Sequence, residues 1–323
     1  MDIISGSNVP EAYIDGLWKL RVCAKPEESR NGPVLVMPRP TLLIIHNPWE
    51  RVLIDDVRQP NPYFHLAEFV WMMAGSNDAK WISDFNSNMM SYSDDGEVFK
   101  AAYGHRWRRH FTRDQIREVI DLLRKDPTTR RAVISMWDPN VDLEQSKDIP
   151  CNTTIYFRVN SGFLDMTVCN RSNDFVWGML GANAVHMTSL QEFVALAVGA
   201  GIGKYYVFTN NLHIYKSVPR YEEIMGTLTT NDVYRAWPSR VPLLTKHEDP
   251  IEFFDDCARF LEHKWDNFST VWFNAVFIPM MKAYRDRKKG EDEIPHLSDV
   301  MALDWRMAGL AWRKWKNEQS SSR

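Results

Sequence analysis

The chain has 323 residues, 44% of them hydrophobic and 25% charged, which is enough to bury a large core in one domain or in two closely packed ones. Its formal net charge of -3 argues against a duplex nucleic acid partner, and four widely spaced cysteines without a Cys-x-x-Cys pair indicate neither a structural zinc site nor a disulfide framework. The first residues lack the basic start and apolar run of a signal peptide, and no stretch approaches a membrane-spanning length, so we expect a cytoplasmic protein with no membrane partner.

The first part of the chain changes from strand patterns to a helix pattern. Residues 34–37 and 41–45 are short apolar or β-branched runs on either side of a Pro-Arg-Pro segment, which predicts two strands joined by a turn. Residues 64–75 are apolar nearly all round, as in a buried helix, and carry a single acid, Glu68.

Helix and strand patterns alternate in the middle of the chain. Thr112 and Gln115 form a capping-box pattern, and apolar residues follow at helical spacing, which predicts an amphipathic helix ending at an Asp-Pro pair. Residues 132–137 are typical of a strand. Residues 153–159 and 163–168 predict a hairpin, because both runs are rich in β-branched and aromatic residues and an Asn-Ser-Gly turn separates them.

The last part of the chain is predicted to be mainly helical. Apolar residues at helical spacing over residues 187–197 place a helix against the sheet, and Trp305 lies on the apolar face of a final helix with a basic surround. We interpret the charge run at 288–293 as a solvated loop before that helix. The sequence therefore predicts one domain, 1–323, with a C-terminal helical extension at about 291–323.

Cys151 is the candidate nucleophile. Most cysteines of intracellular proteins are buried and unreactive, so the thiol alone decides nothing. Neighbouring guanidinium groups would favour its thiolate, and a phosphate bound to them would fix a substrate beside it. The candidate arginines are Arg30, Arg130, Arg131 and Arg171, although each in isolation is typical of a surface charge.

Glu68 is the candidate proton-transfer group. An acid on an otherwise apolar helix costs on the order of several kcal/mol to ionise when it has no partner. The alternative is an acid at a helix edge that faces water, and the sequence pattern leaves both interpretations open.

Several short motifs together resemble the thymidylate synthase superfamily. They run from about Arg30 to Tyr215 in that family's order and at nearly its spacing, and the ordered set is highly specific although each motif alone is weak. The core motifs are Pro150-Cys151, Arg171-Ser172-x-Asp174, Gly178, Asn183 and His213-Ile214-Tyr215. The preceding motifs are His65-Leu66-Ala67-Glu68 with Trp71 and Gly75, Tyr103-Gly104, and Arg130-Arg131 before Ser135-x-Trp137-x-Pro139.

The resemblance implies an α/β (α+β) fold with a large twisted mixed sheet flanked by helices. Two subunits would pack sheet to sheet as a homodimer, and Arg130 and Arg131 would reach the partner's nucleotide phosphate. It also implies folate-dependent chemistry: the Cys151 thiolate adds to C6 of a pyrimidine nucleotide, and 5,10-methylenetetrahydrofolate delivers a one-carbon unit to C5. No metal is implied.

The resemblance further assigns a role to each matched residue. Glu68, acting through ordered water, and Tyr103 would assist Cys151 in catalysis. The residues implied in substrate binding are Arg30, Arg130, Arg131, Arg171 and Ser172 for the phosphate region, Asn183 for the pyrimidine edge, and His213 and Tyr215 for the sugar hydroxyl. Those implied in folate binding are Asp174, Trp177 and Gly178.

Departures from the synthase pattern favour a hydroxymethylase. Asn152 follows the cysteine where synthases usually have histidine, and residues 88–92 lack the usual tryptophan pair that walls the folate and the reacting methylene. A methylene left open to water is trapped as hydroxymethyl, whereas a shielded one receives hydride and becomes methyl. The segments 171–174 and 212–215 also resemble the dCMP hydroxymethylase branch, and a basic tryptophan helix replaces the short synthase C-terminus.

The base remains open between dCMP and dUMP. Asn183 suits uracil, whereas aspartate is common at that position in dCMP hydroxymethylases, and an inferred insertion at Gly181-Ala182 could let the amide serve cytosine. Ser172 favours a deoxynucleotide. The alternatives are a thymidylate synthase, a non-catalytic nucleotide- or RNA-binding regulator, and a cysteine hydrolase that uses His186 or His213.

Overall fold

The computed structural model describes residues 1–235 and 240–321, and it has two β-sheets surrounded by helices. The strands are β1 (Asp2–Gly6), β2 (Lys25–Ser29), β3 (Gly32–Val36), β4 (Thr41–Ile45), β5 (Val133–Ser135), β6 (Asn152–Asn160), β7 (Phe163–Asn170), β8 (Asn173–Asp174), β9 (Gly201–Thr209) and β10 (Leu212–Tyr215). The helices are α1 (Val9–Cys23), α2 (Pro62–Met73), α3 (Ala79–Ser83), α4 (Tyr103–His105), α5 (Gln115–Lys125), α6 (Asn183–Val198), α7 (Tyr221–Gly226), α8 (Pro250–Leu261), α9 (Ile278–Lys289), α10 (Ile294–Asp299) and α11 (Leu303–Ser321). Segments of π-helix lie at Arg106–His110, Phe175–Ala182 and Phe273–Phe277.

The larger sheet is mixed and has six strands in the order β1-β4-β9-β7-β6-β5. The β1–β4 and β7–β9 pairs are parallel, and the other pairs are antiparallel. Side chains alternate across the sheet, so that Leu43, Val168 and Val207 are buried on the face that α1 and α6 cover. The opposite face carries the exposed aromatic residues Tyr156 and Phe208.

The smaller sheet has four strands in the order β2-β3-β10-β8 and brings two distant segments together. Strand β10 pairs antiparallel with β3 and parallel with β8, and His213 of β10 lies opposite Asp174 of β8. Because β8 follows β7 and β10 follows β9, this pairing brings the segment after β7 beside the segment after β9.

The predicted buried helix is confirmed as α2. Asn61 caps its N-terminus by accepting from the N–H groups of Tyr63 and Phe64, and Pro62 occupies the first turn, where no N–H is needed. Every residue of α2 except Glu68 is buried. The predicted hairpin is also confirmed, because β6 and β7 pair antiparallel on either side of Ser161 and Gly162, which both have positive φ.

The runs at 34–37 and 41–45 form the predicted strands β3 and β4, but these strands lie in different sheets, so the residues between them lead from one sheet to the other. The predicted cap of α5 is wrong. Thr112 does not cap α5; it has a φ of 56°, and Asp114 accepts from the N–H of Arg117 instead. Aspartate competes well with threonine as a cap, and it stands next to the first helical residue.

The strand predicted at 132–137 is shorter than expected. The N–H groups of Met136 and Trp137 both donate to the carbonyl of Thr153, so the regular pairing of β5 ends at Ser135. The charge run at 288–293 is only partly a solvated loop: α9 continues to Lys289 and ends at Gly290, which has a φ of 78°. Glu293 is buried, where it accepts from Tyr63 and Arg287.

Candidate active site

Cys151 lies in the loop that enters β6, and Arg171 at the end of β7 anchors that loop. The Arg171 guanidinium donates to the carbonyls of Pro150 at 2.9 Å and Ile149 at 3.1 Å, and its backbone N–H donates to the carbonyl of Cys151 at 3.0 Å. A β-bulge follows at once, because the register shifts between Asn152 and Thr154. Bulges turn side chains out of the regular alternation, so this one helps to aim the thiol.

The charges around Cys151 act in opposite directions. Burial raises the pKa of the Cys151 thiol, and the carboxyl of Asp174 adds to that effect, whereas the guanidinium groups of Arg171 and Arg30 lower it. Arg30 reaches this region from the turn between β2 and β3 and donates to the carbonyls of Ser146 and Lys147 at 3.4 Å each. The structure thus brings two of the four predicted arginines to the thiol.

Tyr103 joins the cysteine loop to α2. Its hydroxyl lies against the backbone N–H groups of Asn152 and Cys151; burial raises its pKa, and the charges of Cys151 and Glu68 add to the shift. The phenol therefore stays protonated and can donate. Asp148 ties together the two segments that carry these side chains, because it accepts from the N–H groups of Lys100 and Ala101 at 2.5 and 3.3 Å.

Glu68 is largely buried, with 14% of its side chain exposed, so the interpretation as an acid facing water is wrong. Burial raises the pKa of its carboxyl to about 8. Its Oε2 atom lies 3.5 Å from Nε2 of His186, which is itself 3.2 Å from the carbonyl of His65. Burial lowers the pKa of His186 to about 3, so this imidazole is neutral and does not hold Glu68 in its charged form.

Asp174 caps the π-helical segment Phe175–Ala182 and faces the strand that carries His213. Its Oδ1 atom accepts from the N–H of Trp177, while Oδ2 is buried without a hydrogen-bond partner in residues 1–235 and 240–321. Burial raises the pKa of Asp174, and the N–H of Trp177 and the charge of His213 oppose that shift. Trp177 is 48% exposed, so its indole presents an open aromatic surface beside this carboxyl.

Gly178 brings the segment that carries Asp174 close to α6. A Cβ atom at Gly178 would lie 2.5 Å from Oδ1 of Asn173 and 3.4 Å from Nδ2 of Asn183. The absence of a side chain therefore lets the Asn183 amide, at the start of α6, approach the strand end that carries Asn173 and Asp174.

His213 and Tyr215 project from β10 at the same end of the molecule. Their rings make an edge contact with centroids 4.9 Å apart. Nδ1 of His213 lies 3.0 Å from Oδ1 of Asn211, and the Tyr215 hydroxyl is 3.4 Å from Nδ2 of Asn31. A thiol, a buried acid, a protonated phenol and this polar pair thus surround the ends of the strands.

The family model of thymidylate synthase matches residues 58–248, which is more than half of the chain and includes most of these side chains. The chain belongs to the thymidylate synthase family. It is 40% identical over 97% of its length to the deoxyuridylate hydroxymethyltransferase of Pseudomonas phage M6, of which it covers 93%. Proteins of the same name from Bacillus phage SP01 and Delftia phage PhiW-14 are 35% and 32% identical over 79% and 74% of the chain, and 68% of each is covered.

Some residues matched to the thymidylate synthase family do not join this cluster within the protomer. Arg130 and Arg131 are exposed at the entrance to the edge strand β5, and neither side chain makes a hydrogen bond or ion pair with another predicted site residue in the described part of the chain. Ser172 lies half-buried between Arg171 and β8.

Two residues that sequence reasoning did not assign to the site also lie in it. Burial raises the pKa of Tyr92, and the charges of Asp174 and Tyr215 add to the shift, which places the Tyr92 phenol close to both. Arg58 is buried under Trp177, with its guanidinium 4.1 Å from the ring centroid. Tyr92 is the one aromatic residue of segment 88–92, which lacks the usual tryptophan pair. No sequence pattern pointed to Arg58.

No helix of the described ranges is long and apolar enough to cross a membrane. In the same ranges, no group of three histidine, cysteine or acidic side chains is arranged to hold a metal ion.

Proposed function

We propose that this protein transfers a one-carbon unit from 5,10-methylenetetrahydrofolate to C5 of deoxyuridylate and releases the 5-hydroxymethyl nucleotide. The observation that carries the proposal is the position of the buried Tyr103 phenol, on which the charges of both Cys151 and Glu68 act, beside a cysteine loop that the Arg171 guanidinium holds. Similarity along nearly the whole chain to proteins named deoxyuridylate hydroxymethyltransferase supports the same reaction.

The Cys151 thiolate would add to C6 of the uracil ring and so make C5 nucleophilic. The methylene carbon of the folate would bond to C5. Loss of the C5 proton would then supply the electron pair that expels tetrahydrofolate and forms an exocyclic methylene. Water would add to this carbon, and the thiolate would depart from C6. The sum is nucleotide plus methylenetetrahydrofolate plus water, giving hydroxymethyl nucleotide plus tetrahydrofolate, with no net oxidation.

Glu68 and Tyr103 would manage the protons of these steps. A carboxyl with a pKa of about 8 is protonated in part of the population near neutral pH and ionised in the rest, so Glu68 can give a proton to the ring oxygen and take one back through water. Tyr103 donates from a hydroxyl that its surroundings keep protonated.

The nucleotide would be held by two arginines whose charges act on the thiol and by polar groups at the neighbouring strand ends. Arg30, Arg171 and Ser172 would bind its phosphate, since bidentate guanidinium donors suit phosphate oxygens. His213 and Tyr215 would bind the sugar hydroxyl. Asn183 would read the base, since its amide can complement both the N3–H and the O4 of uracil.

Residues of the π-helical segment fit a folate. The free Oδ2 atom of Asp174 is an acceptor suited to the N–H groups of the pterin, and the exposed indole of Trp177 offers a stacking surface. Gly178 leaves room beside them, as a Cβ there would meet Asn173. We assign Asp174, Trp177 and Gly178 to the folate on this basis.

The product would be hydroxymethyl because the methylene is open to water. The segment Ser87–Tyr92 forms a short 3-10 helix without a buried residue, and Tyr92 within it is 57% exposed. The Tyr92 phenol, whose pKa the charge of Asp174 helps to raise, is smaller and more polar than a tryptophan pair and would leave the reacting carbon open to water.

A homodimer would complete the phosphate site. One face of the larger sheet bears Ile44, Tyr206, Thr167 and Tyr156 in register on neighbouring strands; the first three are half-buried and Tyr156 is exposed. A partly apolar, accessible sheet face of this kind suits a protein interface. Arg130 and Arg131 lie at the edge of this sheet, from which they would reach the partner's nucleotide.

A single catalytic domain, 1–323, is supported by the shared core. Buried residues from Ile4 to Trp315 form one contiguous cluster, so the helical extension predicted at about 291–323 packs against the rest at least as far as Trp315.

The assignment is tested by incubating the protein with methylenetetrahydrofolate and each of dUMP, dCMP, UMP and CMP, and then analysing the products by mass. We expect dUMP alone to gain CH2O, with release of tetrahydrofolate. A gain of CH2 with dihydrofolate would identify a thymidylate synthase, and turnover of dCMP would identify the other base. A Cys151→Ala variant is the control and should yield no product.

A further inference from the structure

Arg58 is a buried cation that the proposed reaction does not use. It is 8% exposed, and it lies in the turn between Asp55 and Gln59, just before α2. Its Nε and Nη2 atoms both donate to the carbonyl of Val176 at 3.2 Å. A side chain with this chemistry would ordinarily stay in water, so its burial against one short segment indicates a specific role.

The guanidinium of Arg58 supports the indole of Trp177. It stacks on one side of the ring, and about half of the Trp177 side chain remains exposed for contact with a ligand. The two hydrogen bonds to Val176 fix the residue immediately before Trp177, and the cap by Asp174 fixes the N–H of Trp177 itself. Arg58 therefore restrains both the backbone and the ring of this tryptophan.

The turn that carries Arg58 is held rigidly from within. Oδ1 of Asp55 accepts from the N–H groups of Arg58 at 2.5 Å and Val57 at 3.1 Å, and the N–H of Gln59 donates to the carbonyl of Asp55 at 2.8 Å. Arg220, which follows β10, donates to the carbonyls at positions 56 and 57 of the same turn.

The C-terminal helix α11 forms hydrogen bonds to the outer side of this turn. The indole N–H of Trp315 donates to Oδ1 of Asp56 at 3.0 Å, and Nε2 of Gln319 lies 3.1 Å from Oε1 of Gln59. Trp315 is 4% exposed, so its hydrogen bond is shielded from water. A continuous set of contacts thus runs from α11 through the turn to Arg58 and then to Trp177.

We propose that Arg58 is a positioning residue that sets the indole of Trp177 against the folate, and that α11 braces the turn from which Arg58 projects. The inference rests on the proposed function, because it assigns the exposed face of Trp177 to the folate. On this proposal, the C-terminal extension contributes to folate binding by holding the turn in place, and it does not need to close over the nucleotide.

The first test measures steady-state kinetics of Arg58→Met, which keeps much of the side-chain volume but loses the charge and the donors. We expect KM for methylenetetrahydrofolate to rise by about three- to thirtyfold, as loss of a shielded cation–π contact implies, while the dissociation constant of dUMP stays within about twofold. Arg58→Lys keeps the charge but loses the planar stacking group, so its folate KM should lie between those of the wild type and Arg58→Met. In a Trp177→Ala background, Arg58→Met should add no further increase.

The second test uses a matched pair of tryptophans on α11. Trp315→Phe removes the N–H that reaches Asp56 and should raise the folate KM in the same direction, by a smaller factor. Trp312→Phe makes the same change on the same helix. Its ring packs on Tyr63 and makes no hydrogen bond to residues 55–59 within the described part of the chain, so the folate KM should stay unchanged.

The third test needs no substrate, which separates this inference from the proposed function. In the ligand-free protein, Arg58→Met should speed hydrogen–deuterium exchange of the backbone amides in Phe175–Ala182, with helices such as α5 unchanged. Faster exchange in that segment, together with a wild-type protein that turns over no pyrimidine nucleotide, would uphold the brace and overturn the reaction. An active wild type whose Arg58→Met variant has unchanged exchange and unchanged folate KM would overturn the brace.

Discussion

The setting of Glu68 explains how one carboxyl can both give and take protons at neutral pH. It is the single acid on a helix that is otherwise buried, and the neighbouring His186 is neutral, so no charge among the described residues offsets the cost of burying its carboxylate. Burial then raises its pKa to about 8. A carboxyl whose pKa lies near the working pH can both donate and accept a proton.

The same shift predicts how the stability of the free protein depends on pH. The unfolded chain releases the Glu68 proton near the ordinary pKa of 4.5, whereas the folded protein holds it to about 8. Between these values the folded state binds more protons, so the free energy of unfolding falls as pH rises, by at most about 1.4 kcal/mol per pH unit. Glu68→Gln should remove this slope. Urea denaturation of both proteins from about pH 5 to about pH 8 measures it, and parallel curves would refute the raised pKa.

Gly104 lies in the turn that carries Tyr103, and its substitution by alanine is predicted to lower stability far more than the same substitution at Gly226. A Cβ atom at Gly104 would lie 2.0 Å from the carbonyl oxygen of Met72, and backbone atoms cannot move aside cheaply. Gly104→Ala should therefore lower the free energy of unfolding by about 3 kcal/mol or more. Gly226→Ala is the control: no atom lies within 4 Å of a Cβ there, and the change should be neutral or stabilise by up to about 1 kcal/mol. Equal stabilities of the two variants, measured by denaturation, would contradict the close packing.

At the residue scale, the sequence was informative where a side chain stands in a recognisable motif. Cys151, Asp174 and His213 were assigned from ordered motifs, and the structure places them around one site. Arg58 could not be assigned, because its proposed role depends on burial beneath an indole more than a hundred residues away, and a single arginine in a polar turn carries no trace of that contact.

At the element scale, the segment from Tyr103 to His110 is fixed by a buried ion pair. Arg106 is fully buried in the π-helical segment, and it donates to both carboxyl oxygens of Asp142 at 2.6 and 2.7 Å and to the carbonyls of Lys100 and Met136. This bonding holds the chain on either side of Tyr103 and so helps to place the phenol at the cysteine loop.

Removal of Asp142 is predicted to be costly for that reason. Asp142→Ala leaves a buried guanidinium without its counter-charge and should lower the free energy of unfolding by about 3–5 kcal/mol. Glu97→Ala is the control, because the Lys80–Glu97 pair is exposed and its loss should cost no more than about 1 kcal/mol. Chemical denaturation of both variants checks the difference, and a similar small effect for each would contradict the positioning role of Arg106.

The boundaries of elements show why local patterns were sufficient for some segments and not for others. Helix α2 and the β6–β7 hairpin were predicted because the burial of their side chains produces a pattern of apolar residues that is visible in the sequence. The start of α5 was mistaken, since Thr112 and Asp114 are both good caps and only the backbone conformation shows which is used. The assignment of β3 and β4 to separate sheets depends on long-range pairing that their sequences do not encode.

At the scale of the whole molecule, the exposed pair Arg130 and Arg131 predicts a site shared between two subunits. Cys151→Ala and Arg131→Ala homodimers should each be nearly inactive. Heterodimers formed by refolding a mixture would contain one site with both substitutions and one with neither, so about a quarter of the wild-type activity should return. Mixing Cys151→Ala with Arg171→Ala is the control, because both residues belong to the same subunit's site and no intact site can form. Absence of recovery in the first mixture would refute the shared site.

The origin of the product's hydroxyl oxygen tests the central claim most directly. Cys151 would activate the ring, and water would then add to a methylene that residues 88–92 do not shield with a tryptophan pair. Turnover of deoxyuridylate with methylenetetrahydrofolate in oxygen-18-labelled water should give a 5-hydroxymethyl product that carries one labelled oxygen on the new carbon. A methylated product with dihydrofolate, or a hydroxymethyl product without label, would contradict the account.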